Sequence, residues 1–263
     1  MHMFVLSSEN LRRLHPARVI RRLLRRAGPT ALPVERVLAP LEEPYRSALL
    51  SMYRNESQLG LDGERHPTEP GVRIPPAQGM WLYDLCRKSR PRTLVEIGTS
   101  YGFSTLFLLA AIAKNSLGQL TSIDPYARSF AHGIALASVS ALGVESSFRY
   151  LEERSDRAAV DLAREGASFE FVFIDGSHRF DDVLTDFYLF APLCASGCDV
   201  IFDDLWMASI QSVVSFVRTN RTDFQERPTP EPNIAVFRKV GADSRSWDHF
   251  RPFSVSRGSG GSQ

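Results

Sequence analysis

The sequence predicts an α/β chain with a doubly wound, mostly parallel sheet, a helical extension ahead of it and a short tail behind. Short apolar runs at 93–97, 119–123, 169–174 and 199–202 are separated by apolar helical segments, the pattern of strands buried on both faces. Each run ends beside an acid: Glu96, Asp124, Asp175 and the pair Asp203-Asp204. Between the first run and its helix lies a turn with two glycines, Gly98 and Gly102. In a parallel sheet the carboxyl ends of neighbouring strands share one edge, and ligands bind there. The acids and the glycine turn therefore belong to one place.

The elements follow in chain order. Residues 1–29 carry seven arginines against Glu9, a local charge of +6 in a chain whose net charge is +1, which leaves the remainder at −5. Pro16 opens a helix that Gly28-Pro29 closes. Val19, Ile20, Leu23 and Leu24 share one face of it, and the arginines share the other. Such a helix suits a polyanion or an anionic membrane surface. The plainer reading, preferred here, packs its apolar side on this protein or on a second subunit, and makes the chain a homo-oligomer through its N-terminal helices. Nucleic acid is not expected, because no recognition module or interleaved aromatic pattern accompanies the arginines. Residues 30–75 read as two short helices and a loop. Pro44 opens the longer helix, with Tyr45, Leu49 and Met52 on its buried face, and Gly60 to Pro76 has the composition of a mobile, lid-like connection. The boundaries are thus 1–75 for the extension, 76–240 for the core and 241–263 for the tail. The tail carries Trp247, His249 and Phe250 and ends in a flexible glycine-serine run.

Within the core, the strand Thr93 to Ile97 feeds a helix beginning near Phe103. The first glycine allows a tight turn, and the second lets a ligand approach main-chain N–H groups at a helix N-terminus. The spacing is E-x-G-x-x-x-G, not the G-x-G-x-x-G that seats a dinucleotide pyrophosphate. Glu96 beside the turn is a poor neighbour for pyrophosphate and a good one for an ammonium group. That combination fits the amino-acid end of S-adenosylmethionine (SAM) better than NAD. The candidate cofactor residues are Glu96, Gly98, Thr99, Ser100, Tyr101, Gly102 and Ser104. One strand–helix–strand unit later, Asp124 stands where a ribose diol is held, or else it opens the turn before Pro125.

Asp175, Asp203 and Asp204 would converge beside that cofactor. Three uncompensated carboxylates repel one another, and a hard divalent cation relieves them. Oxygen ligands favour Mg²⁺, with Mn²⁺ or Ca²⁺ as alternatives, and no Cys/His cluster points to zinc. The competing reading makes one or two of these acids helix caps. His178 follows Asp175 by three residues, which on a first helical turn puts both on one face. Its ordinary pKa of about 6.5 leaves it able to accept a proton near neutrality, so it is the candidate general base. Asp181, Asp182 and Asp186 read as a solvated or capping set.

E-I-G-T-S-Y-G-F-S-T resembles the cofactor loop of class I SAM-dependent methyltransferases. F-I-D-G-S-H together with F-D-D is similar to the metal pair of their metal-dependent O-methyltransferase group, in the cephalosporin-hydroxylase-like and macrocin O-methyltransferase-like families. Catechol-type relatives have D-x-x-K at the first position and an Asp-Asn pair at the second. This chain has His178 where that lysine stands, as the macrocin-like enzymes do, and Asp203-Asp204 for the pair. The resemblance covers residues 75 to 240, about two-thirds of the chain. It implies a Rossmann-like, seven-stranded sheet and a sugar or glycosylated natural product as acceptor. The family's L-x-P-G-G turn before the fifth strand reads Leu193-Cys194-Ala195-Ser196-Gly197-Cys198 here, so the turn is left open.

Composition bounds the rest. With 263 residues, 43% hydrophobic and 23% charged, the chain is expected to be soluble and cytoplasmic, with no transmembrane segment or secretory leader. Cys86, Cys194 and Cys198 are too few for a disulfide framework. The expected activity is metal-assisted O-methylation of a small-molecule hydroxyl, a vicinal diol first and a catechol-like phenol second. Trp206 and Met207 would line the acceptor pocket or belong to the core. The rivals are an NAD(P)-linked oxidoreductase and a non-catalytic interaction subunit of the same fold.

Overall fold

The computed structural model describes residues 32–254. The arginine-rich helix, the oligomerisation expected through it and the glycine-serine end of the tail lie outside these residues. The chain runs α1 (Val34–Val37), α2 (Tyr45–Tyr53), β1 (Gln58–Leu59), β2 (Arg65–His66), α3 (Pro76–Ser89), β3 (Thr93–Ile97), α4 (Phe103–Asn115) and β4 (Gln119–Ile123). It continues through α5 (Ile134–Leu142), β5 (Phe148–Leu151), α6 (Ser155–Arg164), β6 (Phe169–Ile174), α7 (Phe180–Phe190), β7 (Cys194–Phe202), α8 (Ala208–Asn220), β8 (Phe224–Arg227) and β9 (Ala235–Lys239).

Seven strands form one Rossmann-like sheet in the order β5-β4-β3-β6-β7-β9-β8. The first five are parallel, and β9 pairs antiparallel with both β7 and β8. Strand side chains alternate between the two faces, and the core divides accordingly. Leu94, Phe171, Phe173 and Ile201 pack with Leu49, Met52, Leu82 and Phe107 from the helices α2 to α4. Val95, Val172, Ile174 and Phe202 pack with Leu162, Phe187 and Val213 from α6 to α8. Phe107, Phe171, Phe173, Phe187 and Phe202 are fully enclosed, and burying each contributes about 1.5–3 kcal/mol.

Where the sequence left the turn before β7 open, the structure has a bulge. Phe169 pairs with Cys194, but Phe171 already pairs with Asp199, so the extra residues of β7 loop out. The antiparallel edge is fastened by Asp199, 1% exposed, which accepts hydrogen bonds from Arg227 on β8 and Arg238 on β9.

Two expectations are corrected. The stretch 60–76 is not a loose connection, because β1 and β2 pair as a ribbon and the Leu61 N–H donates to the His132 carbonyl. Asp186 is not solvated: it is 3% exposed and accepts a 2.5 Å hydrogen bond from Ser155. Pro44 does open α2, and Tyr45, Leu49 and Met52 are buried on it. Among the described residues no helix is long and apolar enough to cross a membrane.

Candidate active site

The edge expected to carry chemistry is built by a relay of main-chain hydrogen bonds from strand end to strand end. Gly98 N donates to Ile123 O, Asp175 N to Ile97 O, Asp203 N to Ile174 O, and Asp124 N to Leu151 O. The residues just past β3, β4, β6 and β7 therefore stand side by side. Gly98 makes this approach possible. Its φ is +99°, and a Cβ there would lie 2.2 Å from the Asp175 carbonyl oxygen. Any side chain would push the glycine loop off the acidic strand end.

The loop itself is held from below. Glu96 is completely buried and accepts hydrogen bonds from Ser104 (2.5 Å), Thr105 (2.7 Å) and Ser122 (2.6 Å). Burial pushes its carboxyl up to about 7 against the pull of those hydroxyls. Both of its oxygens serve the loop, and so does Ser104. Thr99 is buried with its hydroxyl 2.6 Å from Ser122, and the Tyr101 ring lies inside against Phe130. Of the expected cofactor set, these four side chains shape the loop. Asp124 opens the turn, as one of its two expected roles has it, and also ties the glycine loop: one oxygen accepts from Tyr126 N (2.7 Å) in the turn after Pro125, the other from Thr99 N (3.1 Å) and Ser100 N (2.8 Å). A carboxylate has about four acceptor positions, so one stays open for a hydroxyl. Ser100 has φ +46°, and its hydroxyl is buried with no hydrogen-bond partner among the described residues. An orphaned hydroxyl on a glycine turn beside a free acceptor position suits a polar ligand such as the one expected from the sequence.

The acids divide differently from the expectation. One donor atom each from Asp175, His178 and Asp204 lies within 4.8 Å of the other two. Asp203 is not in that group. It is 5% exposed, accepts from Gln78 Nε2 on both oxygens at 2.7 Å, and takes a further bond from Asn233 Nδ2 at 2.9 Å. The reason is geometric: adjacent residues at a strand end point to opposite sides, and Asp204 enters the site only through a left-handed backbone, φ +56°. Asp203 thus braces the site from behind. Gln78 and Asn233 were not singled out from the sequence. A lone Gln in a helix and a lone Asn before a strand carry no local signal, and only the fold brings them to Asp203.

His178 also arrives by another route than expected. The helix α7 begins at Phe180, so Asp175 and His178 share a loop and not a helical turn. Ser209 fixes that loop by donating to the His178 carbonyl at 2.6 Å. The ring nitrogen Nε2 stands 2.5 Å from Asp204 Oδ2, while Asp204 Oδ1 accepts from the Trp206 indole N–H at 2.7 Å.

Electrostatics follow the packing. Burial, with the charges of Asp203 and Asp204 nearby, raises the Asp175 carboxyl well above the usual carboxylate range. Asp203 is also raised, by burial and by the Asp204 charge. Burial opposes ionisation of Asp204 too, but the bonds from His178, Trp206 and Asn233 outweigh it and hold its carboxyl low. The bond to Asp204 raises His178 above its ordinary value, against partial burial. A site where neighbouring carboxyls resist ionisation together is one that a cation or a shared proton relieves. Two carboxylates suit a hard divalent cation such as Mg²⁺ or Mn²⁺, with the imidazole standing beside it.

Residues 95–205 match the family model described as a methyltransferase domain. A catechol O-methyltransferase of Niastella koreensis is 27% identical over 107 residues, 40% of this chain and 47% of that protein. The O-methyltransferase TomG of Streptomyces achromogenes, in complex with SAM, matches with a TM-score of 0.58 at 24% identity, over 76% of this chain and 91% of that one. An O-methyltransferase of Bacillus cereus, in complex with S-adenosylhomocysteine, gives 0.58 at 18% identity over 79% and 95%. The fold is the Rossmann-like fold of such methyltransferases. The chain spans less than half the length of the curated relatives it matches.

Proposed function

We propose that this chain is a SAM-dependent O-methyltransferase acting on a small-molecule hydroxyl, with a divalent cation assisting at the acceptor. The observation that carries this reading is the contact of Gly98 with the Asp175 carbonyl, which sets a cofactor-type glycine loop against an acidic strand end. The methyltransferase-domain match over residues 95–205 supports it, since it covers both halves of the site.

Each residue then has a task. Main-chain groups of the loop from Gly98 to Gly102, the Ser100 hydroxyl and Asp124 receive SAM. Glu96, with Ser104, Thr105 and Ser122, keeps the loop in shape. The sulfonium already activates the methyl, so the protein need only align and deprotonate the acceptor. Asp175 and Asp204 are the carboxylates that would hold the cation. Bound there, it would stabilise the negative charge developing on the acceptor oxygen. His178, oriented by Asp204 through Nε2, takes the hydroxyl proton at its other ring nitrogen, Nδ1. Asp203, braced by Gln78 and Asn233, fixes the strand end from which Asp204 projects.

The acceptor class is a vicinal diol, since two adjacent oxygens grip a cation better than one. A sugar hydroxyl on a glycoside or glycosylated natural product ranks first, because His178 matches the sugar-modifying families that the motifs resemble. Trp206, pinned to Asp204, offers an aromatic flank that suits a sugar ring. A catechol-like phenol ranks second, on the strength of the Niastella koreensis relative.

The test is transfer of label from methyl-labelled SAM to a panel of glycosides with free vicinal diols, the same glycosides with one hydroxyl blocked, and catechols. Transfer to the free diols that EDTA abolishes supports the whole reading. Transfer only to amines or isolated alcohols, indifferent to EDTA, contradicts the metal-held diol.

A further inference from the structure

A second group of metal-type donors shares no residue with the acidic edge. Asp62 and His66 come from the ribbon β1–β2, and His132 from the loop entering α5. One donor atom of each lies within 4.8 Å of the other two. The Asp62 carboxylate and His66 Nε2 are 2.8 Å apart, and the two imidazoles stack at 3.7 Å with their planes only 2° apart. We propose that Asp62, His66 and His132 form a second divalent-metal site, of zinc type, joining the ribbon to the loop before α5.

Four features of the protein support this. The donor set of two imidazoles and a carboxylate is one that zinc takes readily and that hard cations such as Mg²⁺ do not prefer. The spacing is near that of a loaded site: zinc bonds of about 2.0–2.1 Å place tetrahedral ligand atoms about 3.3 Å apart. Side-chain movements of roughly one to two ångströms, with the two stacked rings tilting so that their lone pairs meet at one point, would close the present group to that distance. The surrounding backbone is shaped for the cluster. A Cβ on Gly60 would lie 2.7 Å from Asp62 Oδ1, 2.9 Å from the His132 carbonyl oxygen and 2.9 Å from His66 Cδ2. His132 itself is held at φ +52°, and its carbonyl accepts from Leu61 N. Such a conformation in a non-glycine residue persists when its surroundings fix it. Lastly, the donors are reachable. The Asp62 side chain is 48% exposed and that of His66 20%, so an ion can enter from solvent and keep a fourth position for water. The other Asp62 oxygen already accepts from Glu64 N at 3.0 Å, which aims its partner at His66.

The experiment is zinc binding to the full, untagged chain by equilibrium dialysis against a chelator of known affinity. The variants are His66→Gln, His132→Asn and the two combined, with Asp175→Asn to mark ions bound at the acidic edge. Asn tolerates the left-handed backbone at position 132, and circular dichroism and the melting temperature show whether each variant keeps its fold. We expect each single variant to lose the same zinc equivalent, with affinity there at least tenfold weaker, and the double variant to lose no more than either single one. Asp175→Asn should keep that equivalent. Zinc should also raise the melting temperature of the wild type more than that of the variants. Folded variants that bind zinc as the wild type does would overturn the proposal. So would additive losses, which mean two separate histidine contacts.

Discussion

A Cβ on Gly98 would stand 2.2 Å from the carbonyl oxygen of Asp175. The two residues end neighbouring parallel strands, so the space for the glycine loop and the position of the first acid are one constraint. Gly98→Val should therefore weaken S-adenosylhomocysteine binding at least tenfold, about 1.4 kcal/mol or more. It should also lower the melting temperature, since φ +99° strains any side chain. A variant that binds as the wild type does would mean that the loop does not seat the cofactor.

Removing the acids should separate acceptor chemistry from cofactor binding. Asp175→Asn and Asp204→Asn should each lower kcat by about a hundredfold or more, as should EDTA, while S-adenosylhomocysteine affinity stays within a few-fold. Asp203→Asn should act mainly on stability, because its two oxygens accept from Gln78 and Asn233. An amide there turns a donor toward a donor, at a cost of about 1–3 kcal/mol. Chemical denaturation beside steady-state kinetics would show the split. Full turnover in EDTA would remove the cation from the account.

His178→Ala should reduce kcat by roughly 10²- to 10⁴-fold with little change in cofactor affinity. The wild-type rate should rise with pH as the ring becomes neutral, through a limb that the variant lacks. An unchanged pH profile in an active variant would leave His178 a loop residue.

Much of this was legible in the sequence, and the failures have physical causes. Buried parallel strands announce themselves, because residues 171–174 and 200–202 are shielded on both faces and must be apolar throughout. The edge strands β5 and β8 do not, since half-exposed four-residue strands such as Phe148–Leu151 mix polar and apolar residues freely. The glycine loop was found by spacing, but the inward turn of Glu96 and Ser104 depends on Ser122, a residue on another strand. Asp203 and Asp204 looked equivalent as neighbours, yet strand alternation sends them apart. The stretch 60–76 looked mobile by composition, and its anchor, the His132 loop, is distant in the chain.

Asp186 gives a stability test independent of function. Burial pushes its carboxyl up to about 6. Below pH 4 it is protonated in both folded and unfolded chains and carries no penalty. Between about pH 4 and 6 the unfolded chain releases the proton first, so this group makes stability fall as pH rises, by on the order of 2–3 kcal/mol in all. Above pH 6 the penalty is constant. Asp186→Asn removes it, so the variant should gain on the wild type between pH 4 and 7 in urea unfolding. A difference that does not change with pH would mean that the buried carboxyl ionises without cost.

The central claim is that the edge from Gly98 to Asp204 binds SAM and uses its acids for the acceptor. Calorimetric titration of the full chain with S-adenosylhomocysteine and with NADH, each with Mg²⁺ and with EDTA, tests it most directly. The account predicts micromolar S-adenosylhomocysteine binding that EDTA leaves nearly unchanged, and no binding of NADH. Tight NADH binding with no heat from S-adenosylhomocysteine would contradict it.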